Sequence, residues 1–212
     1  MMVMLTRLLA RGGADFEAGS ESNITWTHKR GTGFKVEGSV LSNNGVDFGA
    51  AVSAETISHS DNTVQGVSWT VADPPPTDPR TTVIGYFIGL TSQAEVRRLD
   101  DVDFAFGVDS GGYLSIHEQG LVKLAETESD MFPDGSTECW KWRKSQAGDV
   151  LVVNVQGNQV LYTKNGKTIA RSLVPPGFPL RAAAFFGYAY GDEAPQVHQR
   201  AVDVQLQLAD QA

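Results

Sequence analysis

The stretch GDVLVVNVQGNQVLYTKNGKTIARS, residues 148–172, decides the fold class. Leu151, Val153 and Val155 fall on one face of an extended segment while Val150 and Val152 fall on the other, so a strand over 149–156 is predicted to be covered on both faces at its start. Gln156-Gly157-Asn158 turns the chain. Beyond it, Val160 and Tyr162 alternate with Leu161 and Thr163, and Asn165-Gly166 provides the two positive-φ positions of a tight hairpin. The expectation is a three-stranded antiparallel meander, 149–156, 159–164 and 167–173, set deep in an all-β sandwich.

The same period of two recurs along the chain, with a break every eight to twelve residues or so. Strands are predicted over 23–28, 33–41, 48–54, 63–72, 82–90, 101–108, 112–118, 181–190 and 199–208 as well. Asn43-Asn44-Gly45, Asp61-Asn62 and Ser110-Gly111-Gly112 mark turns between them. The 22 glycines and nine prolines are scattered, as many short strands and turns require, and argue against a helical bundle. DPPPTDPR (73–80) is the strongest breaker, because proline cannot donate to a ladder. The flanking segments TVQGVSWTV and TTVIGYFIGL are expected as neighbours or near-neighbours in one sheet. A second hairpin is expected in DDVDFAFGVDSGGYLSIHEQG (100–120), with Val102, Phe104 and Phe106 facing inward and Asp101 and Asp103 outward.

A chain of 212 residues with 41% hydrophobic content forms one domain of this kind, so 23–208 is assigned as a single sandwich, with 1–22 as a terminal strand or short extension and 209–212 as a tail. Seventeen basic against 25 acidic residues give a formal charge of −8, which is no footprint for a nucleic-acid backbone. Cys139 is the only cysteine, so neither an internal disulfide nor a cysteine-built zinc site can form. No stretch reaches the length of a membrane-spanning helix. In MMVMLTRLLARGGAD the apolar run is interrupted by Arg7 and preceded by no cation, unlike a secretory signal. Arg7, Arg11 and the leucines at 5, 8 and 9 fit a mitochondrial presequence, and a terminal strand of the sandwich fits as well.

Several of these segments together resemble a known module. Ile24-Thr25-Trp26-Thr27, Gly89-Leu90-Thr91, Val102-Asp103-Phe104-Ala105, Gly112 to Gly120, Gly148-Asp149-Val150 and Tyr162-Thr163-Lys164-Asn165-Gly166 follow, in order, the strand motifs of concanavalin A-like, SPRY-like sandwich modules found in bacterial surface and secreted proteins. The resemblance covers roughly 24–173, and the segment ETESDMFPDGSTECWKWRKSQ (126–146) is long for the family. It implies a two-sheet antiparallel jelly-roll, a binding role and an extracellular or cell-surface setting, and it transfers no catalytic motif and no cofactor.

Chemistry was sought beyond the resemblance. Laminarinase-like hydrolases of this architecture place acids in a strand reading E-x-D-x-E, where a nucleophile and an acid/base stand about 5 Å apart. Here Asp101 and Asp103 fill two places and Ala105 the third, so the proton donor is missing. The plainer reading is a pair of solvated aspartates on an exposed strand face, available as ligand-binding side chains. No G-x-S-x-G elbow exists, and His28, His59, His117 and His198 are read as isolated surface or hydrogen-bonded residues. Asp100, Asp101, Asp103 and Asp109 could supply oxygen to calcium but match no EF-hand spacing, and no metal is assigned. Trp26 and Trp69 sit in regular strands and are expected in the core, and Asn23-Ile24-Thr25 is a glycosylation sequon.

ECWKWRK (138–144) is the surface candidate: if extended, it sets Trp140 and Trp142 on one face and Lys141 and Arg143 on the other. Exposed indoles stack on sugar rings or anchor a protein contact, whereas buried ones would cap the core. Two functions remain open from sequence: a non-enzymatic module binding a glycan or protein partner, and a structural subunit docking through its termini and 121–147.

Overall fold

Asn165 and Gly166 carry φ values of 49° and 76°, the left-handed pair that closes a two-residue hairpin. The computed structural model describes residues 21–43, 48–57, 64–71, 84–108, 114–118, 121–124, 145–174, 179–189 and 200–208. The strands are β1 (Glu21–Asn23), β2 (Trp26–Arg30), β3 (Phe34–Glu37), β4 (Val40–Asn43), β5 (Gly49–Ile57), β6 (Val64–Thr70), β7 (Ile84–Thr91), β8 (Phe104–Val108), β9 (Leu114–Glu118), β10 (Leu121–Leu124), β11 (Val150–Gln156), β12 (Gln159–Lys164), β13 (Lys167–Leu173), β14 (Leu180–Ala189) and β15 (Arg200–Leu208). One 3₁₀ turn, Leu99–Asp101, interrupts them.

The strands form two antiparallel sheets. The first runs β13-β12-β11-β6-β15-β4-β3, with β1 also on β15; the second runs β10-β9-β8-β7-β14-β5-β2. The expected meander is β11-β12-β13, in the register Val153↔Tyr162↔Ala170. Leu151, Val153, Val155, Val160 and Tyr162 enter the core between the sheets. Val152 and Leu161 are buried on the reverse face, but Val150 is exposed, so two-sided cover begins one pair later than its sequence suggests. Across the core, Phe106 of β8 meets Trp69 and Tyr162 edge-on at centroid distances of 6.2 and 5.2 Å. Trp26 and Trp69 are buried as expected.

Four expectations are corrected. The segment 33–41 is a hairpin, β3–β4, because Gly38 takes φ 62° at the turn and pairs Glu37 with Val40. The strand expected over 101–108 begins at Phe104, and Val102 packs on the opposite side of its sheet from Phe104 and Phe106. An additional strand, β10, pairs Leu121 with Glu118. The two segments flanking the prolines lie in opposite sheets, β6 pairing with β11 and β15, and β7 with β8 and β14. Both bury residues on each of their faces, Ser68 among them in β6, and a strand buried on both faces carries no mark of its sheet. The N-terminal residues 1–20, the proline run 73–80, the hairpin tip 109–113 and the segment 125–144 lie outside the described residues.

Gly89 of the Gly-Leu-Thr motif has a steric reason. A Cβ there would run into the Phe104 carbonyl and Ala105 of the adjacent strand, so β7 and β8 approach as only glycine permits. The turn between β12 and β13 is held as firmly by side chains. Asn165 Oδ1 accepts the Val150 N–H at 2.8 Å, and its Nδ2 donates to Asp149 Oδ1 at 2.7 Å. Lys164 pairs with the other Asp149 oxygen at 2.7 Å. Burial pushes the Asp149 carboxyl up, but Lys164, the Gln146 N–H and Asn165 outweigh it and hold it below its ordinary range. Asn165 therefore combines an αL conformation with a latch on β11. Asn165→Ala, which loses both, is expected to cost about 2 kcal/mol, and Asn165→Gly, which loses only the latch, about 1 kcal/mol. Urea unfolding of both variants checks this; an Asn165→Gly variant as stable as the parent would refute the latch, and equal costs would refute the αL share.

Candidate functional site

Pairing across the second sheet lays out its outer face as rows. One row runs Arg30, Ala50, Phe185, Phe87, Gly107, and the next runs His28, Val52, Ala183, Gly89, Ala105, His117. Side chains of these rows point away from the inter-sheet core, and an apolar cluster of Ala50, Val52, Phe87, Ala105, Ala183 and Phe185 covers the middle of the face. Val96, Leu99 and Val102 complete that cluster from above. They come from the loop joining β7 to β8, so this loop is a plug on the sheet.

The plug is fastened by the two acids singled out in sequence. Asp101 Oδ2 accepts the Arg97 and Arg98 N–H groups at 2.8 and 3.0 Å. Asp103 Oδ2 accepts the Ser92 N–H at 2.5 Å. Thr91 Oγ1 donates to the Asp101 carbonyl at 2.6 Å and accepts the Gln93 N–H at 3.0 Å. Asp101 thus lies in the 3₁₀ turn and Asp103 in the bend before β8, both partly buried, and neither stands on an exposed strand face as their alternation implied. Short polar side chains that bond nearby amides favour turns over strands, and that local bonding prevails here over the period of two.

Beyond the plug, at the edge strand β2, the face opens into a cavity of about 650 Å³ lined by Lys29, Arg30, Gly31, Thr32, Phe48, Gly49, Ala50, Arg97 and Phe185. Phe48 is 51% exposed, and its ring stacks on Phe185 at a centroid distance of 5.8 Å and 25° between planes. Gly31, at φ 114°, lets the β2–β3 turn lie against the strand β5: a Cβ there would strike the Phe48 carbonyl. Arg97 enters from the plug and is held by Glu95, with Nη2 and Nε at 2.7 and 3.1 Å from Oε2. The site therefore joins Arg30 and Arg97, with Lys29 also lining it, and an exposed aromatic ring in a chain of net charge −8. It is not legible in the sequence, because its parts come from residues 29–32, 48–50, 97 and 185.

Trp140, Lys141, Trp142 and Arg143 lie outside the described residues, as do Cys139, His59, His198 and Asp109. Among the described residues, no group of three His, Cys, Asp or Glu side chains is placed to hold a metal ion, and no helix is long and apolar enough to cross a membrane. His117 departs from expectation: it is fully buried, edge-on to Phe87 at 6.1 Å, with neither ring nitrogen in a well-aligned hydrogen bond.

No family model and no curated protein matches the chain. Among solved structures it is similar to the SPRY domain of human HERC1, at 13% identity, covering 84% of this chain and 94% of that one, with a TM-score of 0.49. It is similar to the carbohydrate recognition domain of Emp47p at 10% identity, covering 93% and 100%, also at 0.49. The β-glucanase of Bacillus licheniformis follows at 8% identity, covering 92% and 94%, at 0.44. All three scores lie below 0.5, and the two-sheet assignment rests on the strand pairing itself. A two-sheet sandwich does not by itself imply a function, so activity is left to the side chains.

Burial holds the His117 imidazole below its ordinary 6.5, while Asp100, the Val102 backbone and Asp103 pull the other way. The unfolded chain therefore takes up a proton that the folded chain resists. This contribution to stability is present above about pH 6.5 and is lost as pH falls below it, at no more than about 1.4 kcal/mol per pH unit. His117→Leu is expected to flatten that slope between pH 7 and 5, as read by urea unfolding at each pH. An unchanged slope would place the acid sensitivity elsewhere.

Proposed function

We propose that the chain is a non-catalytic binding module whose recognition site is the groove between β2, Phe48 and Arg97, and that its ligand is a saccharide. The observation that carries this reading is the stacked Phe48–Phe185 pair, which presents one open ring face beside cationic hydrogen-bond donors. Leaving a phenylalanine half out of water forgoes part of the free energy its burial would supply, roughly 1.5–3 kcal/mol for a whole side chain. A sugar ring offers an apolar C–H face to such a ring and hydroxyls to the donors around it. The volume lies within the roughly 300–1,000 Å³ of small-ligand sites.

The carboxylates favour binding over hydrolysis. Asp101 and Asp103 are engaged by backbone amides, and Ala105, where a third acid would stand, is buried in the cluster beneath the plug. A retaining mechanism needs two carboxyl groups free to face one glycosidic bond. In this reading the two aspartates serve the site indirectly, by fixing the loop that carries Arg97.

A glycan array followed by calorimetry on the strongest hit tests the reading. Phe48→Ala is expected to weaken binding at least tenfold with little change in melting temperature, since its ring is half exposed. Loss of binding in Trp140→Ala with Phe48→Ala unaffected would move the site to the 138–144 segment. Stable protein complexes from extracts without any saccharide binding would favour the structural-subunit reading instead.

A further inference from the structure

Resting on the groove as a saccharide site, the charges around it narrow the ligand. Lys29 and Arg30 are exposed and have no ion-pair partner among the described residues. Arg30 shares the outer face with Ala50 and Phe185, in line with the exposed ring, and His28 lies one alternate position along the same strand and face. Among the described residues, the one carboxylate bonded to a cation of the groove is Glu95, which takes both Nε and Nη2 of Arg97 on a single oxygen. Arg97 draws that carboxyl below its ordinary range, and His28 and Arg30 add to the effect while desolvation opposes it. Cations on two separate elements, β2 and the plug, therefore converge on one acidic group. The pair is also loosely held: the side chains of Arg97 and Glu95 are 68% and 49% exposed, and water screens such pairs until they contribute little.

We propose that the saccharide bound in this groove carries an acidic group, a carboxylate or a sulfate, and that Glu95 occupies the place of that group on Arg97 while the groove is empty. A guanidinium fork matches either oxyanion geometrically and keeps its charge at every relevant pH. Arg30 supplies the second charge contact from β2, and the sugar ring lies on Phe48. Binding exchanges one anionic group for another at Arg97, so the gain comes from Arg30 and the ring contact.

Calorimetry with the whole chain tests this with paired probes: oligogalacturonate against its methyl ester, and a carrageenan oligosaccharide against its desulfated form. At least one acidic probe is expected to bind tenfold or more tightly than its neutral partner. The two pairs separate carboxylate from sulfate as the source of the charge. Arg30→Gln is expected to remove about tenfold of the affinity for that acidic probe and to leave the neutral one unchanged. Glu95→Gln, which keeps the side-chain size, is expected to tighten the acidic probe about threefold, in keeping with release of an exposed pair. Equal binding of acidic and neutral forms, lost in Phe48→Ala, would overturn the acidic-ligand inference and leave the saccharide site standing. Weaker acidic binding in Glu95→Gln would overturn the exchange at Arg97. Binding to any sugar that is indifferent to both Phe48→Ala and Arg30→Gln would overturn the groove itself.

Discussion

The hydrogen bonds from the amides of residues 92, 97 and 98 to the carboxylates of Asp103 and Asp101 are the constraint on which the outer face depends. A loop lying across a sheet has backbone donors that the ladder cannot use, and a carboxylate that accepts several of them fixes the loop's path. By accepting those donors, two short side chains let the loop descend onto the sheet and bring Val96, Leu99 and Val102 into contact with Phe87 and Phe185. Glu95 and Arg97 are carried to the groove by the same turn. Core packing, sheet cover and candidate site are thus joined by one local bonding pattern.

This coupling explains which parts of the molecule were legible in the sequence. The β11–β12–β13 meander could be read because its alternation and its Asn165-Gly166 turn are local, and both act over a few residues. The β3–β4 hairpin turns at Gly38-Ser39, and the apolar alternation of Phe34, Val36 and Val40 hides it by passing through the turn without a break. Asp101 and Asp103 alternate as strand residues do, and nothing in their spacing shows that the amides of 92 and 97 fold back to meet them. The partition of β6 and β7 between sheets is a tertiary choice between two strands that both bury residues on each face.

The groove was illegible for a related reason. Its cations come from β2 and from the plug and its rings from positions 48 and 185, and the register Arg30↔Ala50↔Phe185 together with the placement of the plug brings them to one edge. Net charge misleads here: −8 over the whole chain says nothing about a patch where three basic residues meet one bonded acid. Charge at a site is a property of the fold, because screening confines its reach to about 10 Å.

The plug also determines where recognition can occur. An open sheet face of this size would offer a cleft along β8 and β7, over the middle of the sheet. Val96, Leu99 and Val102 fill that space, and the buried His117 and Ala105 beneath them are closed to any ligand. What remains accessible is the β2 edge, where the plug ends at Arg97 and Phe48 projects past the last covered row. A ligand there meets ring, guanidinium and backbone at the rim and no acid at depth. In the proposed reading such a geometry would hold a saccharide by one face and one charge, and the same two carboxylates that seal the centre would set the specificity of the edge.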